Sequence, residues 1–123
     1  MFAAFLSVQG TGQIGTYVGC YTDTKYVQQN CEYSQEFEPG RDLNGTACWT
    51  TTNGAPPMTL EVCYQHCAGY KYYGTQYADQ CFCGNAYGTK GNTLTSDACY
   101  TKCVGNTTQY CGDTQHNSIW ART

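Results

Sequence analysis

The residues of this chain with the most evident chemistry are its ten cysteines, at positions 20, 31, 48, 63, 67, 81, 83, 99, 103 and 111. An even number in a short chain points to five disulfides and an oxidising compartment. Zinc is the competing chemistry, because Cys63-x3-Cys67 and Cys81-x-Cys83, with His66 nearby, offer soft donors. Zinc sites usually use CxxC knuckles, and no such spacing occurs here. Disulfides are therefore expected, with no metal and no cofactor. Two sequons, at Asn44 and Asn106, fit a secreted glycoprotein. The threonines 50–52 followed by Pro56-Pro57 resemble an O-glycosylated stretch. Catalysis is not expected. His66 reads as a surface residue on a helix, His116 stands in a polar loop, and no Ser-His-Asp order is evident. A pair of carboxylates fixed across a cleft, as a glycosidase needs, is rare in so small a domain.

The second chemically capable set is aromatic and amidic. Twelve tyrosines and two tryptophans accompany many Asn, Gln and Thr. A sugar offers a flat C–H face edged by hydroxyls. An aromatic ring can lie under that face while amides exchange directed hydrogen bonds with the edge. Tyrosine also loses little rotamer entropy on binding. The residues near the Gly84-Asn85 turn, Tyr73, Gln76, Tyr77, Asn85 and Tyr87, are the first candidates for carbohydrate contact, with Trp49 and Trp120 added as large rings. Tyr64 and Tyr100, beside helix cysteines, read as structural. Tyr17 and Tyr21, flanking Cys20, fit either role.

These side chains must be held by 123 residues, one domain's worth of chain. Ile, Leu, Val and Phe together number only fifteen, too few for an ordinary aliphatic core. Crosslinks that restrict the unfolded chain can make up the difference. Residues 16–23 (TYVGCYTD) read as a strand and turn. Residues 24–58 read as mostly loop, with Cys31 and Cys48 closing about 17 residues, worth ~3 kcal/mol. Residues 59–69 (TLEVCYQHCAG) are the best helix, with Thr59 as N-cap, Glu61 in the first turn and Gly69 as the stop. Residues 95–105 (TSDACYTKCVG) repeat that pattern and suggest a second short helix. Residues 72–83 read as one or two strands, and residues 117–121 as a closing strand.

The spacing of the cysteines constrains their pairing. Cys63 and Cys67 share a helix face with Cβ atoms about 6 Å apart, too far for a mutual disulfide. Cys81 and Cys83 share a strand face at two rises of ~3.3 Å. A helix lying across a strand, riveted twice, satisfies both spacings. Cys63–Cys83 with Cys67–Cys81, or the crossed pairing, fits equally. The pairing of Cys20, Cys99, Cys103 and Cys111 stays open.

These features resemble the WSC domain, a cysteine-rich extracellular module, from Tyr17 to about Ala121. The resemblance rests on YVGCYTD (17–23), Arg41-Asp42-Leu43 and Met58-Thr59 with Cys63 and Cys67. It continues through YGTQY (73–77), CFCGN (81–85), CVGN (103–106) and YCG (110–112). Eight cysteines align, at 20, 63, 67, 81, 83, 99, 103 and 111, while Cys31 and Cys48 are additions in a longer loop. The resemblance implies a small disulfide-rich α+β fold of the PAN/apple-like kind, a twisted antiparallel sheet crossed by a short helix. It also implies binding of cell-wall or matrix glycans, and a secreted protein at a cell wall or cell surface.

Six basic residues and a net charge of −3 argue against nucleic-acid partners. No apolar stretch is long enough for a membrane span. Residues 1–8 (MFAAFLSV) are apolar but lack the basic flank of a complete signal peptide. Residues 1–15 are therefore read as an N-terminal extension ahead of a domain at 16–123, packing on its own domain or on another copy. Two functions follow. The first is a non-catalytic carbohydrate-binding module. The second is a structural subunit of an extracellular filament or coat, assembled through the extension onto a neighbour's sheet edge.

Overall fold

A computed structural model describes residues 12–23, 42–43, 45, 49–50, 56–88, 94–95 and 98–123. Its strands are β1 (Thr16–Thr22), β2 (Trp49–Thr50), β3 (Tyr72–Gln76), β4 (Gln80–Gly84), β5 (Leu94–Thr95), β6 (Lys102–Cys103), β7 (Asn106–Tyr110) and β8 (His116–Ala121). One helix, α1 (Leu60–His66), lies among them. The main sheet has the order β2-β4-β3-β8-β1-β5, and every pairing in it is antiparallel. A two-stranded ribbon, β6-β7, stands beside it. The expected disulfide-rich α+β fold is the fold found.

Local chemistry accounts for the helix. Thr59 is its N-cap, extended in backbone, and its Oγ1 accepts the Val62 N–H at 3.0 Å. The helix ends earlier than its sequence suggests. Cys67 is the C-cap, Ala68 N–H bonds back to the Gln65 carbonyl, and Gly69 adopts φ +95°, which a side chain would resist.

Two bridges fasten α1 to β4, Cys63–Cys81 and Cys67–Cys83, with Cα atoms 5.6 and 5.3 Å apart. Of the two pairings the spacing allows, the crossed one is realised, because α1 and β4 run in the same sense. All four sulfurs are fully buried. The sulfurs of Cys63, Cys67 and Cys81 lie within 4.8 Å of one another, the closeness a metal site would need. Disulfide bonding removes the thiolates that would bind zinc. The other described bridges are Cys20–Cys99 and Cys103–Cys111. Cys31 and Cys48 lie outside the described residues.

The second helix expected at 95–105 does not form. Thr95 pairs with Cys20 in the main sheet, and Cys103 pairs with Asn106 in the ribbon. Cys99 and Cys103 would share one face of a helix. Instead they are pulled to different partners, Cys20 and Cys111, and the described residues 98–103 between these ties are not helical.

The sheet is packed on both faces. Against the α1 face lie Met58, Leu60, Tyr73 and six half-cystines, all buried. Against the other lie Leu43, Phe82 and Ile119, flanked by Val18, Tyr21, Tyr72 and Tyr87. Leu43 sits so close to the strands that a Cβ at Gly84 would stand 2.7 Å from its Cα, so only glycine fits there. Asp42 is buried beside it, and both carboxylate oxygens accept the Gly88 N–H at 3.0 Å. Its sequence neighbour Arg41 lies outside the described residues.

Residues 1–11 also lie outside the described residues. Residues 12–15, the end of the segment read as an extension, pack against their own domain. The Tyr73 hydroxyl donates to the Ile14 carbonyl at 2.6 Å, and the Tyr64 hydroxyl to Gln13 Oε1 at 2.8 Å.

Candidate functional site

A cleft of about 580 Å³ opens on the α1 face of the sheet. Strands β1 and β8 pair Tyr17 opposite Trp120, with ring centroids 5.0 Å apart. Tyr100 precedes β6, Tyr110 ends β7, and their rings meet edge to face at 5.5 Å. Two disulfides put these tyrosines in place. Cys20–Cys99 ties the segment carrying Tyr100 to β1, and Cys103–Cys111 closes the ribbon beside Tyr110. Backbone bonds from Thr101 N–H to the Gly112 carbonyl and from Cys111 N–H to the Thr101 carbonyl complete the frame.

The rings are on show rather than spent on packing. Tyr17, Tyr100 and Tyr110 are 51%, 57% and 46% exposed, and Trp120 is half-buried. Ile14, Leu60 and the Cys20–Cys99 bridge supply apolar lining, and Thr108, Gln109 and Ser118 the polar atoms. Burial, and secondarily the Tyr100 phenol, raise the Tyr17 pKa above the usual phenol value, so Tyr17 stays a neutral donor and acceptor. Lys102 Nζ lies 5.7 Å from the Tyr110 ring centroid.

The residues proposed from sequence for carbohydrate contact are scattered by the fold. Tyr73 and Gln76 are fully buried. Tyr73 packs between Tyr64 and Trp120, and burial drives its phenol pKa strongly upward. Asn85 is exposed, and its Oδ1 accepts the Lys71 N–H at 2.9 Å. Tyr87 is half-buried on the opposite sheet face, edge to face with Tyr72 and Tyr21. Tyr77 is exposed on the β3–β4 turn with φ 56°. Trp49 stacks on His66 at 3.9 Å with planes 7° apart, at the β2 edge of the sheet. His66 is exposed, as its sequence position suggests, and partial burial under the indole lowers its pKa. Of the seven, only Trp120 lines the cleft.

Sequence reasoning passed over Tyr100 and Tyr110. Tyr100 reads as structural because the repeated Thr-Cys-Tyr-Cys pattern sets it beside helix cysteines. The usable signal was the β-rich run TTQY at 107–110, which makes a ribbon partner for residues 102–103 more natural than a helix. Of the two sequons, Asn106 is described. Its Oδ1 accepts from the Thr108 N–H at 2.9 Å and from the Thr108 hydroxyl at 2.6 Å. Asn44 lies outside the described residues.

A sheet of six antiparallel strands, crossed by one riveted helix and opening an aromatic cleft, defines a small disulfide-stabilised module. The family model for the WSC domain matches residues 17–113, and the chain belongs to that family. Relatives include the xylosyltransferase oxt of Drosophila melanogaster, 34% identical over 95 residues, covering 77% of this chain and 9% of that protein. A WSC domain-containing protein of Arthroderma benhamiae is 27% identical over 97 residues, 79% of this chain and 11% of that one. A putative fungistatic metabolite of Chaetomium globosum is 29% identical over 107 residues, 85% of this chain and 40% of that one. The chain thus spans less than half the length of each of these relatives. WSC domains are generally carbohydrate-binding or sensor modules of extracellular and cell-surface proteins. Among the described residues no helix is long and apolar enough to cross a membrane.

Proposed function

We propose that this chain is a non-catalytic carbohydrate-binding module acting outside the cell, at a cell wall or matrix, with its glycan held in the cleft of Tyr17, Tyr100, Tyr110 and Trp120. The observation carrying the proposal is the exposure of three tyrosine rings around one cleft, in a protein too poor in aliphatic residues to leave aromatics idle without reason. Rings of this kind offer stacking faces to sugar C–H groups, and Thr108 and Gln109 supply hydrogen bonds at the edge. Membership of a family of carbohydrate-binding modules supports the same reading. The Asn106 sequon is proposed as an N-glycan acceptor, read by mass spectrometry of the secreted protein.

A glycan array followed by titration calorimetry tests the function. Binding to a β-glucan, mannan or chitin fragment is expected, with loss in a Tyr100→Ala, Tyr110→Ala variant. Silence toward all three at millimolar ligand overturns it. The filament reading rests on the apolar residues 1–8 of the extension, which lie outside the described residues, and no described feature favours it over glycan binding.

A further inference from the structure

Gln109 is the one cleft residue whose amide is gripped from two sides. Its Oε1 accepts the Leu60 N–H at 3.0 Å, and its Nε2 donates to Glu61 Oε1 at 2.9 Å. A backbone N–H can only donate and an ionised carboxylate can only accept, so the two partners forbid the flipped amide. Each end of the amide is half used. One N–H and one carbonyl lone pair remain on a side chain that lines the cleft.

That remainder is a donor beside an acceptor in fixed order. Two neighbouring hydroxyls of a sugar ring present the complementary pair, one donating to Oε1 while the next accepts from Nε2. The described cleft lining contains no Lys, Arg, Asp or Glu; the Glu61 carboxylate bonded to Gln109 disfavours an anionic sugar at that amide, and Lys102 stands outside the lining, over the Tyr110 ring. Resting on the carbohydrate reading above, we infer that Gln109 is the specificity-determining reader of a vicinal hydroxyl pair on a neutral glycan, and that Glu61 is a positioning residue that fixes its amide. Glu61 itself stands in the first turn of α1 and acts only through Gln109.

The test uses the full chain titrated with laminarihexaose, mannohexaose, chitohexaose and, as the charged comparison, hexagalacturonate. One neutral probe is expected to bind at least about tenfold more tightly than the galacturonate. Gln109→Met keeps the bulk and removes the amide. It should weaken that probe by about tenfold, the loss of roughly 1.4 kcal/mol. Glu61→Ala frees the amide to rotate and should weaken binding by about threefold to tenfold. Glu61→Gln can still accept the Nε2 bond and should restore affinity to within about twofold. A merely structural role for Glu61 would show no such rescue. Should the variants fail to fold by near-ultraviolet circular dichroism, the unaltered chain is titrated with singly deoxygenated forms of the bound probe. At least one should bind about fivefold to tenfold more weakly. A wild-type protein that binds a neutral probe, with Gln109→Met or every deoxygenated form binding equally well, overturns the inference alone. Preference for the galacturonate does the same. Binding of none of the probes overturns the carbohydrate reading and this inference with it.

Discussion

The two faces of the main sheet solve the same packing problem by different means. The α1 face is filled largely by sulfur, with six half-cystines among its nine buried core residues. The opposite face is filled by Leu43, Phe82 and Ile119 under a lid of tyrosines. On the α1 face Tyr73 is buried and Trp49, Tyr64, Tyr70 and Trp120 pack half-buried against the sulfurs, while Tyr17, Tyr100 and Tyr110 stay exposed around the cleft. Where side chains must build the core, Tyr21, Tyr72 and Tyr87 are spent on one another. Sulfur and aromatic rings share the α1 core, and three further rings stay exposed around the cleft.

The strongest way to break this comparison is to remove both rivets, replacing Cys63, Cys67, Cys81 and Cys83 by alanine. Closing loops of 18 and 16 residues is worth ~3 kcal/mol each, and the chain is expected to lose its cooperative thermal transition. Phe82→Ala on the opposite face comes next, with an expected loss of about 3–5 kcal/mol in denaturant titration, since the ring is fully buried. Tyr100→Ala sharpens the contrast. It should cost no more than roughly 1 kcal/mol of stability, the worth of its contact with Tyr110, while abolishing glycan binding. A cost equal to that of Phe82→Ala would mean that the cleft rings are core residues after all.

The smallest effect concerns Asp79, on the turn that joins β3 to β4. Its Oδ1 is buried without a partner, and burial raises its pKa despite an opposing backbone hydrogen bond. A carboxyl that holds its proton more tightly when folded loses stability as pH rises from the unfolded value, about 3.9, through the raised folded one. Asp79→Asn should flatten that decline in melting temperature above about pH 4 and melt slightly higher at neutrality.

Much of the frame was legible in the sequence because it rests on local rules. The Thr59 cap and the matched spacing of Cys63/Cys67 with Cys81/Cys83 are each visible within a few residues and both appear in the structure, while Gly69 takes its left-handed turn two residues past the C-cap Cys67. The site was less legible because it is assembled from distant pieces. Tyr17 and Trp120 meet across β1 and β8, and Tyr100 joins them through Cys20–Cys99, a bridge spanning 79 residues. Helical spacing at 95–105 was overridden by the distant partner Cys20 and by the ribbon closed at Cys111. Tyr73 and Gln76 read as candidates because they stand near the Gly84-Asn85 turn in the sequence. They are interior because β3 lies between β4 and β8, with both its faces covered.

The Cys20–Cys99 bridge has a mechanical consequence. Thr16 and Ala121 are paired neighbours in β1 and β8, so a pull applied between them peels the two strands apart like a zipper from one end. The peeling reaches Cys20, and there tension passes through the sulfur bond to Cys99 and on through Cys103–Cys111 to β8. Everything between residues 20 and 99, the riveted helix and β3–β4 included, is bypassed. Under load the oxidised domain should lengthen by a few short segments and then stop, with α1 still seated. In single-molecule stretching, the reduced chain should release the whole intervening length. An equal extension in both states would show that the bridge carries no load.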